Sequence, residues 1–180
     1  MGQRAVPALA GGVRRGKPEV AQRCAAVLGL VGGEDAWRCL IDALRSPDPL
    51  LQRFAASNLQ CPIPPTLMPR EHREEAVTEL LRIVQQQWDG DADLWSAAEE
   101  ALAGFDDPRC FGVWRRLIRS PNWGRRGPGV SAAGWSSDLR LIPLLEAALH
   151  TTDDKVERAV IARAIEYVKE NAARKQRRGE

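Results

Sequence analysis

Residues 50–59 read Leu-Leu-Gln-Arg-Phe-Ala-Ala-Ser-Asn-Leu, and residues 20–30 repeat this pattern as Val-Ala-Gln-Arg-Cys-Ala-Ala-Val-Leu-Gly-Leu. Further copies with small residues at their centre lie at 94–102, 130–135 and 156–165. Alanine has the highest intrinsic helix propensity, and small central residues allow a second helix to approach closely. The pattern therefore predicts a helix, here called helix B, that occurs five times and packs against neighbouring helices.

An amphipathic segment precedes each copy of helix B. Residues 37–48 read Trp-x-x-Leu-Ile-x-x-Leu-Arg-Ser-Pro-Asp, and related segments lie at 111–122 and 142–153, with weaker copies at 6–13 and 77–84. Apolar residues at i, i+3, i+4 and i+7 form one stripe on a helix. The repeating unit is therefore predicted to be helix A, a tight turn and helix B.

The pattern Asp-x-x-x-x-Arg-x-Ala-Ala-x-x-Leu resembles HEAT repeats, in particular the short bacterial HEAT-like units that also occur in phycobilin lyases. The resemblance covers about residues 5–170 and implies an all-α fold, a right-handed α-α superhelix (α-solenoid) of about five helical hairpins. It also implies that the arginines form a structural ladder by pairing with turn aspartates of the same or neighbouring units. The positions of this ladder are Asp48, Arg53, Asp153, Arg158 and, without its acid, Arg23.

We expect one HEAT-like repeat domain over residues 1–170, because a single hairpin cannot bury its apolar stripe whereas a stack of hairpins can. The charged tail at 171–180 is expected to fray. The predicted repeats lie at about 5–32, 36–61, 72–105, 109–137 and 140–170. The predicted breaks lie at Gly32–Gly33, at 61–65, at 89–93 and at 124–129, and the proline-rich 61–65 segment favours a bend.

The composition is that of a globular protein, with 180 residues, 44% hydrophobic and 28% charged residues and a net charge of +2. No apolar run approaches the roughly 18 residues of a membrane span, and residues 1–14 lack the apolar core of a secretory signal. The four cysteines form no C-x-x-C pair, which argues against a zinc site or a disulfide framework. These features predict a reduced, cytoplasmic protein.

The charges are segregated along the chain. Residues 88–108 contain seven acids and no base, whereas residues 108–137 contain six arginines and no acid. The basic stretch also contains Trp114, Trp123 and Trp135, and its 124–129 segment is expected to be a loop with exposed backbone amides. Arginine beside aromatic rings suits phosphates and unstacked bases, and it equally suits a protein partner. Trp114 lies on the apolar stripe of helix A and is expected in the core.

One position late in helix B has a different residue type in each copy, although the alanines near it recur. We therefore expect this position to face solvent. Leu28, Asn58, Glu100, Trp135 and Arg163 occupy this position, which we call the helix B row. In HEAT-like arrays the B helices line the concave face, so the row is a candidate recognition surface; the alternative is that these residues are merely exposed. The predicted partner-binding residues are Arg115, Arg116, Arg119, Trp123, Arg125, Arg126, Asn58, Glu100, Trp135 and Arg163.

Sequence motifs for catalysis, metals or cofactors are weak. Residues 89–100 imitate a calcium loop, but Leu94 stands where that loop needs glycine, and Asp93 fits better as a helix N-cap. His72 and His150 lie in different repeats without a ligand set, and no triad, phosphate loop or dinucleotide fingerprint occurs. We therefore expect no metal, no cofactor and no enzymatic activity.

The sequence thus predicts a non-enzymatic protein-interaction scaffold or adaptor, for which an acidic partner would suit the arginines. Nucleic-acid binding is the first alternative, because alkylpurine DNA glycosylases built from helical repeats use Trp and acidic residues in their concavity, and Trp95, Glu99 and Trp135 are similar to these in type. A phycobilin-lyase-like helper for a tetrapyrrole is the second, although the helix B row is polar for such a ligand. The oligomeric state and the partner's identity stay open.

Overall fold

The computed structural model describes residues 2–59 and 68–179, and within these ranges every regular element is a helix. The all-α class predicted from the sequence is therefore confirmed. The α-helices of the described residues are α1 Val6–Arg15, α2 Pro18–Val31, α3 Glu34–Leu44, α4 Pro49–Leu59, α5 Arg70–Gln86, α6 Ala92–Ala103, α7 Phe111–Ile118, α8 Trp123–Trp135, α9 Ile142–Thr151 and α10 Lys155–Arg178.

The chain divides into two compact units, Met1–Phe105 with helices α1 to α6 and Asp106–Glu180 with helices α7 to α10. The boundary lies between the predicted third and fourth repeats, whereas the sequence suggested one continuous domain. Consecutive helices pack in pairs, with α1 on α2, α3 on α4 and α5 on α6 in unit 1, and α7 on α8 and α9 on α10 in unit 2. Each predicted repeat contains one such pair.

In unit 1 the two helices of each pair belong to separate rows. The A helices α1, α3 and α5 contact one another in chain order, and so do the B helices α2, α4 and α6. Small residues allow this close contact: Ala55 and Ala98 are completely buried, and a Cβ on Gly29 of α2 would lie 2.7 Å from the Asn58 carbonyl oxygen of α4. The alanine-rich pattern of helix B therefore has a direct packing cause.

In unit 2 the expected loop at 124–129 is wrong, because α8 begins at Trp123 and includes the whole segment. The side chain of Asn122 caps this helix by accepting a 2.8 Å hydrogen bond from the Gly124 amide. Gly127 and Gly129 are buried, and a Cβ on Gly129 would clash with Leu117 of α7. These glycines permit close helix packing rather than a turn.

The C-terminal segment also differs from the expected frayed tail, since α10 continues to Arg178. Asn171 donates a 3.1 Å hydrogen bond to the Gly134 carbonyl, and Ala172 is buried. Lys175 then reaches Asp106, with 3.1 Å between Nζ and Oδ2. The apolar positions Ile161, Ile165, Val168 and Ala172 carry the helical spacing into this segment, a signal that outweighs its high charge.

The predicted breaks have different outcomes. Gly32 and Gly33 join α2 to α3 with φ angles of 60° and 86°, a region that glycine enters without steric cost. The acidic segment after Gln86 separates α5 from α6, as predicted. The expected bend at 61–65, including Cys61, lies outside the described residues. Within the described ranges, no helix has both the length and the apolar character needed to cross a bilayer.

Candidate partner-binding surfaces

Helices α2, α4 and α6 form an open groove of about 360 Å³ on unit 1, which we call the unit 1 groove. It brings together Asn58 and Glu100, two members of the helix B row. Leu28, another member, is fully buried, so the expectation of solvent exposure fails at that position. The groove is lined by Gln22, Arg53, Phe54, Ser57, Asn58, Asp93, Ser96, Ala97 and Glu100.

The polar side chains of the groove are held by local contacts. Arg53 donates to Asp93 at 2.8 Å, and its guanidinium lies 5.7 Å from the centre of the Phe54 ring. The Asn58 amide donates to the Phe54 carbonyl at 2.7 Å, and the Ser96 hydroxyl donates to Glu100 at 3.4 Å. The groove therefore presents polar groups in fixed positions and more carboxylates than cations.

The acidic turn before α6 folds differently from the sequence-based expectation. Asp91, not Asp93, caps the helix, because its Oδ1 accepts 3.0 Å hydrogen bonds from the amides of Asp93 and Leu94. This leaves the Asp93 carboxylate to pair with Arg53 across the groove. Capping at Asp91 places the start of α6 two residues earlier than expected and explains why the Asp93 side chain belongs to the groove.

Another face of α6 contains a buried carboxyl. Glu99 is 2% exposed, and its Oε1 has no hydrogen-bond partner among the described residues. Burial together with repulsion from Glu100 raises the pKa of Glu99 to about 7. Trp95, one turn earlier, is half-buried, and its ring centre lies 5.9 Å from that of Trp88 in an edge-on arrangement. Its Nε1 has no hydrogen-bond partner in the part of the chain that the structure describes. The solvent-facing Trp95 and Glu99 of a glycosylase-like concavity are therefore not observed.

Unit 2 exposes Trp135 at the end of α8 and the contacting pair Arg163 and Tyr167 on α10, a set that we call the unit 2 aromatic patch. Trp135 is 70% exposed and Tyr167 is 38% exposed. Arg163 donates a 2.7 Å hydrogen bond to the Tyr167 hydroxyl and lies 5.1 Å from its ring centre. A Cβ on Gly134 would lie 3.7 Å from the Tyr167 ring, so the residue that precedes Trp135 lies close to Tyr167 where α8 packs on α10.

Trp135 and Arg163 of this patch were predicted from the helix B row, whereas Tyr167 was missed. Tyr167 lies four residues after Arg163, and residues at i and i+4 occupy the same helix face. That spacing is the sequence signal that indicates its place.

The arginine-rich region does not form one exposed basic surface. Arg115, Arg116 and Arg119 are exposed on α7, whose opposite side buries Trp114 at 3% exposure, as predicted. Arg125 and Trp123 are half-buried in α8. The six arginines of the sequence block therefore have separate structural environments.

Arg126 is used inside unit 2. Its Nη2 pairs with Glu157 of α10 at 2.6 Å, and its guanidinium lies 5.4 Å from the Trp123 ring. Thr152 donates a second hydrogen bond to the same Glu157 oxygen at 2.7 Å. The two charged side chains are only 15% and 17% exposed, so Arg126 joins α8 to α10 instead of facing a partner.

The expected arginine ladder has three different local arrangements. Arg53 pairs with Asp93 of the next hairpin, while Asp48 accepts a 2.9 Å hydrogen bond from the Leu50 amide at the start of α4. Arg158 donates at 2.8 and 3.1 Å to the Leu149 and Thr152 carbonyls, not to a carboxylate among the described residues. Arg23 and Asp153 are exposed.

Metal-binding geometry is not found in the parts of the chain that are described, where no three His, Cys, Asp or Glu side chains cluster suitably. Cys24, Cys39 and Cys110 are free thiols. Burial raises the pKa of Cys39 and raises that of Cys110 to about 12, which keeps both thiols protonated and unreactive near neutrality. These buried cysteines have packing roles.

The candidate recognition surfaces within the described residues are a polar groove in unit 1 and a set of exposed aromatic side chains in unit 2. Comparison with protein-family models and with curated protein sequences gives no match to this chain.

Proposed function

We propose that this protein is a non-enzymatic interaction module, an α-solenoid of HEAT-like hairpins that binds a protein partner through its B helices. The unit 2 aromatic patch is the observation that carries this proposal. Its three residue types, Trp, Tyr and Arg, dominate the binding energy of protein interfaces. A tryptophan that is 70% exposed leaves a large apolar surface in water until a partner covers it.

The patch is also arranged for binding at low entropic cost. Aromatic side chains have few rotatable bonds, and Tyr167 is already held by the hydrogen bond and ring contact from Arg163. Ordering a free side chain at an interface costs about 0.5–1.5 kcal/mol. A pre-ordered Tyr–Arg pair avoids part of this cost, which supports a recognition role for the patch.

A protein partner suits these surfaces better than the two alternatives do. Arg126, one of the arginines expected to bind phosphates, is engaged with Glu157, so Arg115, Arg116 and Arg119 are the exposed arginines of that block. The lining of the unit 1 groove contains two carboxylates and one arginine, a charge balance that does not favour phosphates. A tetrapyrrole needs an apolar cavity, whereas the groove lining is mostly polar. The distribution of charge and apolar surface therefore favours protein recognition.

The proposal is tested by affinity capture from the source cells with the wild-type chain, the Trp135→Ala variant and the Leu139→Ala variant. Leu139 is the matched control because it is also exposed in unit 2, at 49%, and lies outside the patch. We expect Trp135→Ala to reduce the recovered partner at least tenfold and Leu139→Ala to leave it unchanged.

Equal recovery with all three proteins would contradict the proposal. A salt titration with labelled single- and double-stranded oligonucleotides completes the test. Tight binding that weakens steeply with salt and is lost in the Arg115→Glu/Arg119→Glu double variant would replace protein binding by nucleic-acid binding.

A further inference from the structure

We propose that the solvent-facing side of α7 binds an acidic peptide segment of the protein partner, with two carboxylates of that segment against Arg115 and Arg119. This assignment of the partner's chemistry rests on the proposed function, because it needs a protein partner. The surface consists of Gly112, Arg115, Arg116 and Arg119, which we call the α7 arginine stripe. Its spacing, its charge and the bare surface at Gly112 support the proposal.

The helical spacing of α7 brings the members of the stripe together. They occupy positions i, i+3, i+4 and i+7 and are all exposed, whereas the other side of the helix buries Trp114. Side chains four residues apart on a helix have Cβ atoms about 5–6 Å apart, so Arg115 and Arg119 are neighbours. In an extended peptide, alternate side chains lie on the same side about 7 Å apart, which matches this spacing. Each guanidinium can bind one carboxylate through two parallel hydrogen bonds.

The charge of Arg115 and Arg119 is not neutralised within the described residues. Neither side chain forms an ion pair there, and Asp107, which precedes α7, pairs with Arg109 at 2.9 Å. Glu146 on the neighbouring helix α9 is exposed and forms no ion pair with these two arginines. Like charges four residues apart on a helix repel each other, and a bound carboxylate removes this repulsion. The charge of the stripe therefore favours an anionic partner.

Gly112 is not required by the packing of α7. A Cβ at this position would meet open space, and alanine would favour the helix more than glycine does. The missing side chain does, however, allow the backbone of a bound peptide to approach the helix one turn away from Arg115 and Arg116. Gly112 thus leaves room for a peptide beside the guanidinium groups.

An acidic peptide suits the stripe better than a nucleic acid does. From Gly112 to Arg119 the helix rises by only about 10 Å, at 1.5 Å per residue. Arg126 is engaged with Glu157 inside unit 2 and does not extend the basic surface. Nucleic-acid binding gains its affinity from many phosphate contacts, whereas a short peptide needs only a few matched charge pairs.

The test measures binding of a fluorescein-labelled, capped (Gly-Glu)₄ peptide to the full chain by fluorescence anisotropy at low salt. We expect Arg115→Gln/Arg119→Gln to weaken binding at least tenfold, because two charge-assisted pairs are lost. Arg177→Gln/Arg178→Gln removes the same charge from the exposed end of α10 and is the matched control, which should leave the affinity unchanged. Gly112→Gln keeps the net charge and should weaken binding at least threefold, because its side chain occupies the space of the peptide.

Several results would overturn the inference: no binding at low salt, equal affinity of Arg115→Gln/Arg119→Gln and wild type, or an equal loss in Arg177→Gln/Arg178→Gln, which indicates non-specific charge attraction. A (Gly-Gln)₄ peptide that binds as well as (Gly-Glu)₄ would contradict the role of the carboxylates, and unchanged affinity of Gly112→Gln would contradict the proposed position of the peptide. An oligonucleotide that displaces the peptide and binds more tightly would assign the stripe to phosphates instead.

Circular dichroism of each variant checks that the fold is retained. If the stripe fails these tests while partner capture still depends on Trp135, only this inference is refuted. If capture does not depend on Trp135, the proposed function is refuted.

Discussion

Replacement of Glu99 by glutamine is expected to change the way in which stability depends on pH. The Glu99 carboxyl is 2% exposed, and its Oε1 accepts no hydrogen bond from the residues that the structure describes. Burial is the main cause of its raised pKa, and repulsion from Glu100 adds to it. Glutamine has nearly the same shape and no charge, so Glu99→Gln removes the titration while preserving the packing.

The sign and size of the effect follow from the pKa. Between pH 4.5 and about 7 the native protein binds the Glu99 proton more tightly than the unfolded chain does. The free energy of unfolding therefore falls as the pH rises through this window. The difference between 4.5 and about 7, at about 1.4 kcal/mol per pH unit, amounts to about 3 kcal/mol. Glu99→Gln should thus be up to about 3 kcal/mol more stable than wild type at about pH 8, and nearly equal to it at about pH 4.

The assay is urea unfolding followed by far-UV circular dichroism at several pH values between these limits. Asp138, whose pKa is lowered mainly by its hydrogen bond from Arg140, titrates equally in both proteins and cancels in their difference. Glu100→Gln is the control, since Glu100 is exposed and is only the smaller cause of the Glu99 shift. Parallel stability profiles for wild type and Glu99→Gln would refute the reasoning.

Three further substitutions test the packing of the units by urea unfolding. Arg126→Ala should lower the free energy of unfolding by about 3–5 kcal/mol, because it leaves Glu157 buried without its cation. The double variant Arg126→Met/Glu157→Leu should recover most of this loss, because it removes both charges. If the double variant instead loses the sum of the two single losses, the pair does not act as proposed. Gly129→Ala should destabilise by about 1–3 kcal/mol through its clash with α7, while Gly112→Ala, which meets open space, should be neutral or stabilising by up to about 1 kcal/mol. Gln52→Leu should cost about 1–3 kcal/mol, because the Gln52 amide donates to the Leu44 carbonyl at the end of α3 at 3.1 Å and to the Ser46 carbonyl in the following turn at 2.8 Å. An unchanged urea midpoint would contradict this prediction.

The periodicity of the sequence predicted the helices and many of their limits. Apolar spacing indicates which face of a helix is buried, as at Trp114, and alanines at the centre of helix B indicate close packing, as at Ala55. Local composition was misleading at Gly124–Gly129 and after Asn171. Glycine suits both turns and tight helix contacts, and charge suits both a loose tail and the solvent side of a helix. Only the tertiary contacts decide between these structures: Gly129 packs against Leu117 of α7, and Asn171 donates a hydrogen bond to the Gly134 carbonyl of α8.

The candidate surfaces were predictable only in part for the same reason. The helix B row pointed to Asn58, Glu100, Trp135 and Arg163, because a position that changes character beside invariant small residues is seldom core. It could not indicate that Leu28 is buried, since burial depends on which helices lie alongside.

The amino-acid sequence by itself determined the helical class and the alternation of A and B helices, because these depend on local spacing and side-chain chemistry. The tertiary structure alone decided which charged groups are used internally. Arg126 is held by Glu157, 31 residues away, and Arg53 by Asp93, 40 residues away. Such pairings depend on distances between helices that are far apart in the chain, so only the tertiary structure assigns these two arginines to contacts within their units.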